Sequence, residues 1–570
     1  MQLSDDAAVQ AARDITVEKT DAGYEIRGAP DEHVTAQHDT DQIPEKDVTQ
    51  EMIANTRGDP TSWLTYGGGY KQHRYTTADV ITKENVDGLQ LEYLVQTGTL
   101  SSMEGTPLIV PGDPPIMYQT NGPDHGKAIN ARTGEILWSY VYPNPQDNVV
   151  CCDANTRGFA IWGDKVYMGT LDSGVVALDR YTGEKQWYQS TAENHAGYSL
   201  TAAPIAYDGK IFVGSAGADY GIRGFRAALD AESGEMLWKS TNVPKDKWVG
   251  DSYVHAGASS WQAPAVDTER NMLYFPSGNP GPDFNGAVRP GPNRYSTGTI
   301  AVDADTGDVE WHFADSLHDT WDYDSSCPKL LIRDQRIRGE SHDVVVHGGK
   351  TGWTYTQDAD TGKLLRRSEE SIQHINMWEM VPYDENEDDR LQYVPANLGG
   401  NNWQPPSYSP KTGLVYVKQQ NQPVELTWKH PNYEQGVYYL AGGIYDWPDL
   451  TNIPEEWNGK TSAIVALDPI TGERVWREWS RDDTYLLGGS LTTATGLTIM
   501  GTQKGRVVAF DGETGERLWE EQLGASISGS PVSWYDPGTE KQYVAVQVGG
   551  AGPFHAGRRG STIGVFALQN

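Results

Sequence analysis

Ala177-Leu178-Asp179-Arg180-Tyr181-Thr182-Gly183-Glu184-Lys185-Gln186-Trp187 is the stretch that decides the fold. Its form, Ala-x-Asp-x-x-Thr-Gly-x-x-x-Trp, recurs along the chain. It runs from Ala128 through Asn130 and Gly134 to Trp138, from Ala228 through Asp230 to Trp238, and from Ala301 through Asp303 to Trp311. It returns from Ala466 through Asp468 to Trp476 and from Ala509 through Asp511 to Trp519. A degraded copy has Asp358, Thr361 and Gly362 but ends in Arg366. The gap from Asp358 to Asp468 is about twice the usual spacing, and Ser409-Pro410-Lys411-Thr412-Gly413 inside it reads as an eroded eighth copy. Each unit has a physical logic. Asp and Thr side chains bond the backbone of a hairpin turn, and Gly takes the positive φ. Val175-Val176-Ala177-Leu178 supplies strand residues, and the closing Trp is large enough to wedge between sheets. A repeat of about 45 to 55 residues with several strands each is the pattern of a β-propeller. The expected fold is therefore all-β, an eight-bladed propeller with tryptophan-docking turns. Residues 61–570 are assigned to the propeller and residues 1–60 to a polar, irregular N-terminal arm. Within the arm, residues 47–56 are expected to form a short helix with Asp47 as N-cap and Gln50 three residues on.

Composition excludes several classes. The chain has 570 residues, with 78 acidic against 45 basic, for a net charge of −33. Phosphate contacts need Lys and Arg, so nucleic acid is not the expected partner. The acid is spread along the chain and reads as a surface adapted to high salt. No apolar run reaches about 18 residues, so no membrane span is expected. Of three cysteines, Cys151 and Cys152 are adjacent, and no Cys-x-x-Cys-His is present to attach a haem. Met1-Gln2-Leu3-Ser4-Asp5-Asp6 has no basic start or apolar core and is not a signal peptide.

Against this repetitive background, His318-Asp319-Thr320-Trp321-Asp322-Tyr323-Asp324 packs three Asp into seven residues. On an extended segment Asp322 and Asp324 point to one face. Two carboxylates aimed at one point need a cation between them or a shared proton.

The tryptophan repeat, the entry Trp63-x-x-Tyr66-Gly67 through Arg74-Tyr75, and the closing Gln542-Tyr543-Val544-Ala545-Val546 resemble the pyrroloquinoline quinone (PQQ)-dependent alcohol dehydrogenases. The resemblance runs from about Trp63 to the C-terminus. It implies oxidation of an alcohol to an aldehyde, with hydride passing to quinone C5, a metal ion as Lewis acid and an Asp as general base. A sugar- or aldehyde-oxidising quinoprotein, or a scaffold propeller without cofactor, is the alternative that the repeat alone leaves open.

The resemblance also assigns residues. Glu104 in Glu104-Gly105-Thr106-Pro107 would hydrogen-bond the quinone. Cys151-Cys152-Asp153 would carry a vicinal disulfide over the ring, although adjacent cysteines are normally separate thiols, their Cα atoms lying below the usual disulfide range. Arg157 would fork onto a quinone carboxylate. Thr201 and the run Ala216-Gly217-Ala218-Asp219 would line the site, with Ala216 and Asp219 standing where the family has Ser and a metal-binding Glu. Trp261 would form the floor under the ring. Asn279, in Gly278-Asn279-Pro280, would join Asp219, Asp322 and Asp324 on the metal. Asp322 would be the catalytic base and Lys350 a catalytic and quinone-contacting cation, while Asn402-Trp403 would touch the quinone. The extra carboxylate at Asp324 favours a lanthanide over calcium. Electrons would leave to an external one-electron acceptor, a cytochrome c or a blue-copper protein. The cysteine pair implies an oxidising compartment, hence export.

Overall fold

A computed structural model describes residues 7–145, 148–380, 389–446, 459–481, 488–550 and 558–569. Among them are eight sheets, each with four antiparallel strands and two with a fifth edge strand, that follow one another around the molecule. We number them as blades 1 to 8: residues 108–141, 160–190, 205–241, 265–314, 330–367, 407–479, 490–522 and 532–568. Blade 8 takes its fourth strand from the other end of the propeller. Leu89–Gln96 pairs antiparallel with Ser561–Leu568 and closes the ring. Closure leaves no blade to end the stack with a bare face, which is how so long a chain stays one body.

The docking turns form as their residues require. In blade 2, Asp179 Oδ1 accepts the backbone N–H of Tyr181 and of Thr182, both at 2.8 Å. Gly183 takes φ +75°. The Trp of each copy then reaches the next blade. Trp138 Nε1 donates to the Arg180 carbonyl, Trp187 to Ala231, Trp238 to Ala304 and Trp311 to Ala359. Trp476 donates to Gly512 and Trp519 to Leu89. The rings of Trp138, Trp187, Trp238, Trp311 and Trp476 each cover the Gly of the following turn, and a Cβ on Gly183 would meet Trp138 at 2.7 Å. The motif Gly is thus fixed twice, by its φ and by the indole above it. In the degraded copy Arg366 does the work of the indole, donating Nε to the Ile470 carbonyl at 2.8 Å.

Three expectations are corrected. Ser409–Gly413 is not an eighth unit: it joins the first two strands of blade 6, Ser407–Ser409 and Leu414–Gln420, while the Ala466–Trp476 copy joins the last two of the same blade. The doubled spacing comes from a segment placed between the second and third strands of blade 6. Its strand Val424–Trp428 pairs with Leu391–Tyr393 on one side and with Gly442–Asp446 on the other, in a separate sheet. The eighth sheet is blade 8, which carries no tryptophan turn because its closing strand comes from a distant part of the chain. The arm is not irregular either. It holds helix α1 (Ala7–Asp14), a hairpin of Thr16–Thr20 with Gly23–Arg27, and Val34–Gln37 as an added edge strand on blade 1. Tyr24 and Ile26 alternate inward and are buried, the period that a half-buried strand needs. The second helix, α2, is Gln50–Asn55, and its N-cap is Thr49, whose side chain accepts the Met52 N–H; Asp47 lies outside it.

Candidate active site

All sixteen residues singled out in the sequence line one cavity of about 710 Å³, counting its open mouth. They come from blades 3, 4 and 5 and from the connections that enter blades 1 to 6. The size suits a cofactor with a small substrate.

The arm and blade 2 set one wall. Val149–Val150 pairs with Tyr24 and Glu25 of the arm hairpin, which fixes the chain just before Cys151. Cys151 and Cys152 are joined in a vicinal disulfide. Asn155 Nδ2 donates to the Cys152 carbonyl, and its Oδ1 accepts from Ser102. Asp153 is buried beside them, with one oxygen on the Ala154 N–H and the other without a partner. Burial pushes its carboxyl up to about 8, helped by the charge of Glu104 and opposed by the Ala154 bond.

Beside the disulfide, Arg157 and Glu104 form a buried ion pair at 2.7 Å, each side chain 4% exposed. Arg157 also donates to the Thr201 carbonyl, and its guanidinium lies 5.2 Å from the centre of the Trp261 ring. A cation stacked on an indole presents a flat, positively charged surface to the cavity. Gly217 has φ +103°, and a Cβ there would meet the Gly197 carbonyl oxygen at 2.0 Å. Glycine therefore lets the Ala216–Ala218 run pass close to its neighbour before Asp219.

The opposite wall is the acidic stretch. Asp319 organises it: one carboxylate oxygen accepts the Trp321 N–H and the other the Tyr323 N–H at 3.0 Å. Burial moves Asp319 up to about 6, against the pull of Arg289. Trp321 and Tyr323 are then clamped outward through the Glu379 and Pro395 carbonyls. This turn, with Asp322 at φ +61°, aims Asp322 and Asp324 inward. Lys350 Nζ bridges them, 2.9 Å from Asp322 Oδ1 and 2.9 Å from Asp324 Oδ2, and also donates to the Asp322 carbonyl. The second oxygen of Asp324 accepts the Asn279 N–H at 2.6 Å. Burial alone would pull Lys350 down, but the two carboxylates hold it above its usual range. Asp322 is pushed well above the carboxylate range by burial, with repulsion from Asp324 and Asp219 added and Lys350 opposing. His318 bonds the Gly291 carbonyl and stays outside this set.

The fourth expected metal ligand, Asp219, leans another way. A carboxylate oxygen of Asp219 lies within 4.8 Å of both disulfide sulfurs. Those sulfurs are bonded to each other and are not thiolate ligands. Among the described residues, Asp219, Asp322 and Asp324 do not close to that spacing. The side chains still fit a hard cation. Asn279 is 3% exposed, and its amide oxygen and the carboxylates of Asp219, Asp322 and Asp324 line one cavity, a set of oxygen donors. Sequence reasoning missed Asp283. It is 1% exposed, its Oδ1 has no partner, and burial with the charges of Asp219, Asp322 and Asp324 holds it well above the carboxylate range. The signal available was its position four residues after Asn279, in Gly281-Pro282-Asp283. Asn155, Ser199, Ser259, Asn397 and Leu398 also line the cavity, and nothing in their local sequence marks them.

The profile of the PQQ glucose/ethanol/alcohol dehydrogenase β-propeller domain matches residues 63–375. The quinoprotein alcohol dehydrogenase PedH of Pseudomonas putida is 32% identical over 89% of this chain and 89% of its own. The chain belongs to the PQQ-dependent quinoprotein alcohol dehydrogenases. It is an oxidoreductase that oxidises alcohols with PQQ. The quinohemoprotein alcohol dehydrogenase of Comamonas testosteroni is 32% identical, over 86% of this chain and 73% of its own. Among solved structures, a europium-containing methanol dehydrogenase superposes with a TM-score of 0.82 at 26% identity, over 91% of this chain and all of that one. A second profile, that of the outer membrane protein assembly factor BamB, matches residues 460–549, a stretch with two tryptophan turns. No helix among the described residues is long and apolar enough to cross a membrane.

Proposed function

We propose that Asp322 is the general base of this quinoprotein and takes the proton of the substrate hydroxyl. The observation that carries the reading is the Lys350 bridge between Asp322 and Asp324 inside the cavity that also holds Trp261 and the cysteine pair. Bound PQQ supplies a two-electron hydride acceptor, and a hard cation beside it supplies Lewis acidity. The chain supplies the rest. Lys350 fixes the Asp322 carboxylate and offers a positive charge where negative charge develops on a reacting oxygen. Burial and the neighbouring acids raise Asp322 above the usual carboxylate range, against Lys350, and so make it a stronger base. Glu104, Arg157, Thr201, Ala216, Gly217, Ala218, Asn402 and Trp403 would hold the cofactor, with Trp261 below the ring and Cys151–Cys152 above it. Asp219, Asn279, Asp322 and Asp324 would hold the cation. The added carboxylates favour a trivalent lanthanide over calcium, and the europium in the methanol dehydrogenase neighbour supports that choice. Electrons then leave to an external cytochrome c or blue-copper protein. The vicinal disulfide supports export to an oxidising compartment, and the acidic composition supports a surface suited to high salt.

Dye-linked alcohol oxidation by apo-protein supplied with PQQ and either calcium or lanthanum tests this. Activity with lanthanum alone supports Asp324 as a ligand. Activity with calcium alone removes that role. An Asp322→Asn protein that turns over at the parent rate would end the assignment of the base.

A further inference from the structure

A second cavity, of about 560 Å³, lies beside residues 67–75 and shares no lining residue with the first. Its walls carry Arg57, Lys71, Arg333 and His73, and no carboxylate. On a chain with an excess of 33 negative charges, an all-cationic cavity is the reverse of what composition predicts. Arg333 is occupied by Asp267 and Asp343. The side chains of Lys71 and Arg57 are not: neither makes an ion pair or hydrogen bond among the described residues, and Arg57 only lies over the Tyr75 ring at 5.8 Å. Burial, then the charges of Arg333 and Arg57, push the Lys71 ammonium down, and the charges of Glu269 and Asp267 oppose this without reversing it.

Polar groups in the same walls are also unsatisfied. The Tyr70 hydroxyl is buried without a partner. The N–H groups of Gly69, Tyr70 and Lys71 make no hydrogen bond among the described residues. A glycine-containing turn with unpaired amides beside free cations is a concavity made for an anion. His73 narrows the choice. Its Nε2 is 2.6 Å from the Leu331 carbonyl, which can only accept, so Nε2 carries the proton. Nδ1 is then a bare acceptor, buried and without a donor. A ligand that satisfies this wall is negatively charged and carries a proton of its own.

We propose that this cavity binds a protonated tetrahedral oxyanion, hydrogen phosphate, between Arg57, Lys71, the Tyr70 hydroxyl and His73 Nδ1. The site has a structural consequence. The carbonyls of Tyr70, Lys71, His73 and Arg74 accept from Val266, Leu331, Tyr408 and Thr492, in or beside blades 4, 5, 6 and 7. An anion neutralising Lys71 and Arg57 would therefore firm the segment that ties four blades together.

Isothermal titration of inorganic phosphate into the full chain, at constant ionic strength in chloride, is the test. One saturable site is expected, with sulfate, which has no proton to donate at neutral pH, binding several-fold more weakly. Lys71→Met and Arg57→Gln should each weaken phosphate about tenfold, the loss of one charge-assisted contact, and Lys71→Arg should restore most of it. His73→Gln keeps a donor toward Leu331 and should bring phosphate down to the affinity of sulfate. Should that variant not fold, the phosphate-to-sulfate ratio of the parent decides the same point. No saturable phosphate binding by the parent, or binding unchanged in Lys71→Met, overturns the site. Equal affinity for phosphate and sulfate in the parent overturns the protonated ligand.

Discussion

The docking turns at the rim and the acid cluster in the cavity use the same residue, aspartate, to opposite ends. At the rim Asp230 accepts the backbone N–H of Ser233 and its hydroxyl, and these bonds hold it below the usual carboxylate range. In the cavity burial comes first, and Asp219, Asp283 and Asp322 are all held above that range. The rim aspartates meet donors three residues away in their own turn. The cavity aspartates meet one another. A turn that satisfies itself can be copied around a ring. A cluster that does not must wait for something to be bound, and Lys350 holds two of its members together until then.

The largest expected break in this comparison is at the base. Asp322→Asn should lower alcohol turnover by about 10²- to 10⁴-fold while the melting temperature of the metal-free protein does not fall, because a repelling carboxylate leaves the cluster. At the rim the effect is on stability instead. Trp138→Ala removes a fully buried indole and one of two donors to the Arg180 carbonyl, the Tyr118 hydroxyl keeping the other, and chemical denaturation should show a loss of about 3–5 kcal/mol. A titration sharpens the contrast. The Asp153 carboxyl is raised to about 8 in the folded chain, against about 3.9 unfolded. Its contribution to stability is full below about pH 4 and is lost as pH rises through about 8. Asp153→Asn should therefore flatten the fall in melting temperature across that window, and an unchanged slope would remove Asp153 from the account. The smallest effect is expected at the degraded turn. Arg366→Trp should change stability by no more than about 1 kcal/mol, since Arg366 Nε already makes the bond to Ile470 that an indole would make.

Legibility in the sequence followed the same division. Six complete tryptophan turns were readable because every contact that shapes them is within about ten residues or repeats in the next copy. The arm was misread. Its strands Thr16–Thr20 and Gly23–Arg27 are short, and one edge pairs with Val149–Val150, more than a hundred residues on. Ser409–Gly413 was misplaced because a turn between the first two strands of a blade has the same local chemistry as one between the last two. Asp283 was passed over because a lone Asp in a Gly-Pro loop looks like any surface turn; only its burial among Asp219, Asp322 and Asp324 sets it apart.

What the sequence by itself determined is the set of local units: the hairpins, their positive-φ glycines, their docking tryptophans, and through the resemblance the residue types at the site. These depend on side chains bonding their own turn, and such bonds are written in spacing. The tertiary structure alone decided how the ring closes, with Leu89–Gln96 on Ser561–Leu568, and which groups meet at its centre. Closing a loop of that length costs chain entropy that is recovered only when every blade is in place. Lys350 between two aspartates, Glu104 on Arg157, and the cationic walls around Lys71 are products of that closure, and no stretch of sequence contains both partners of any of them.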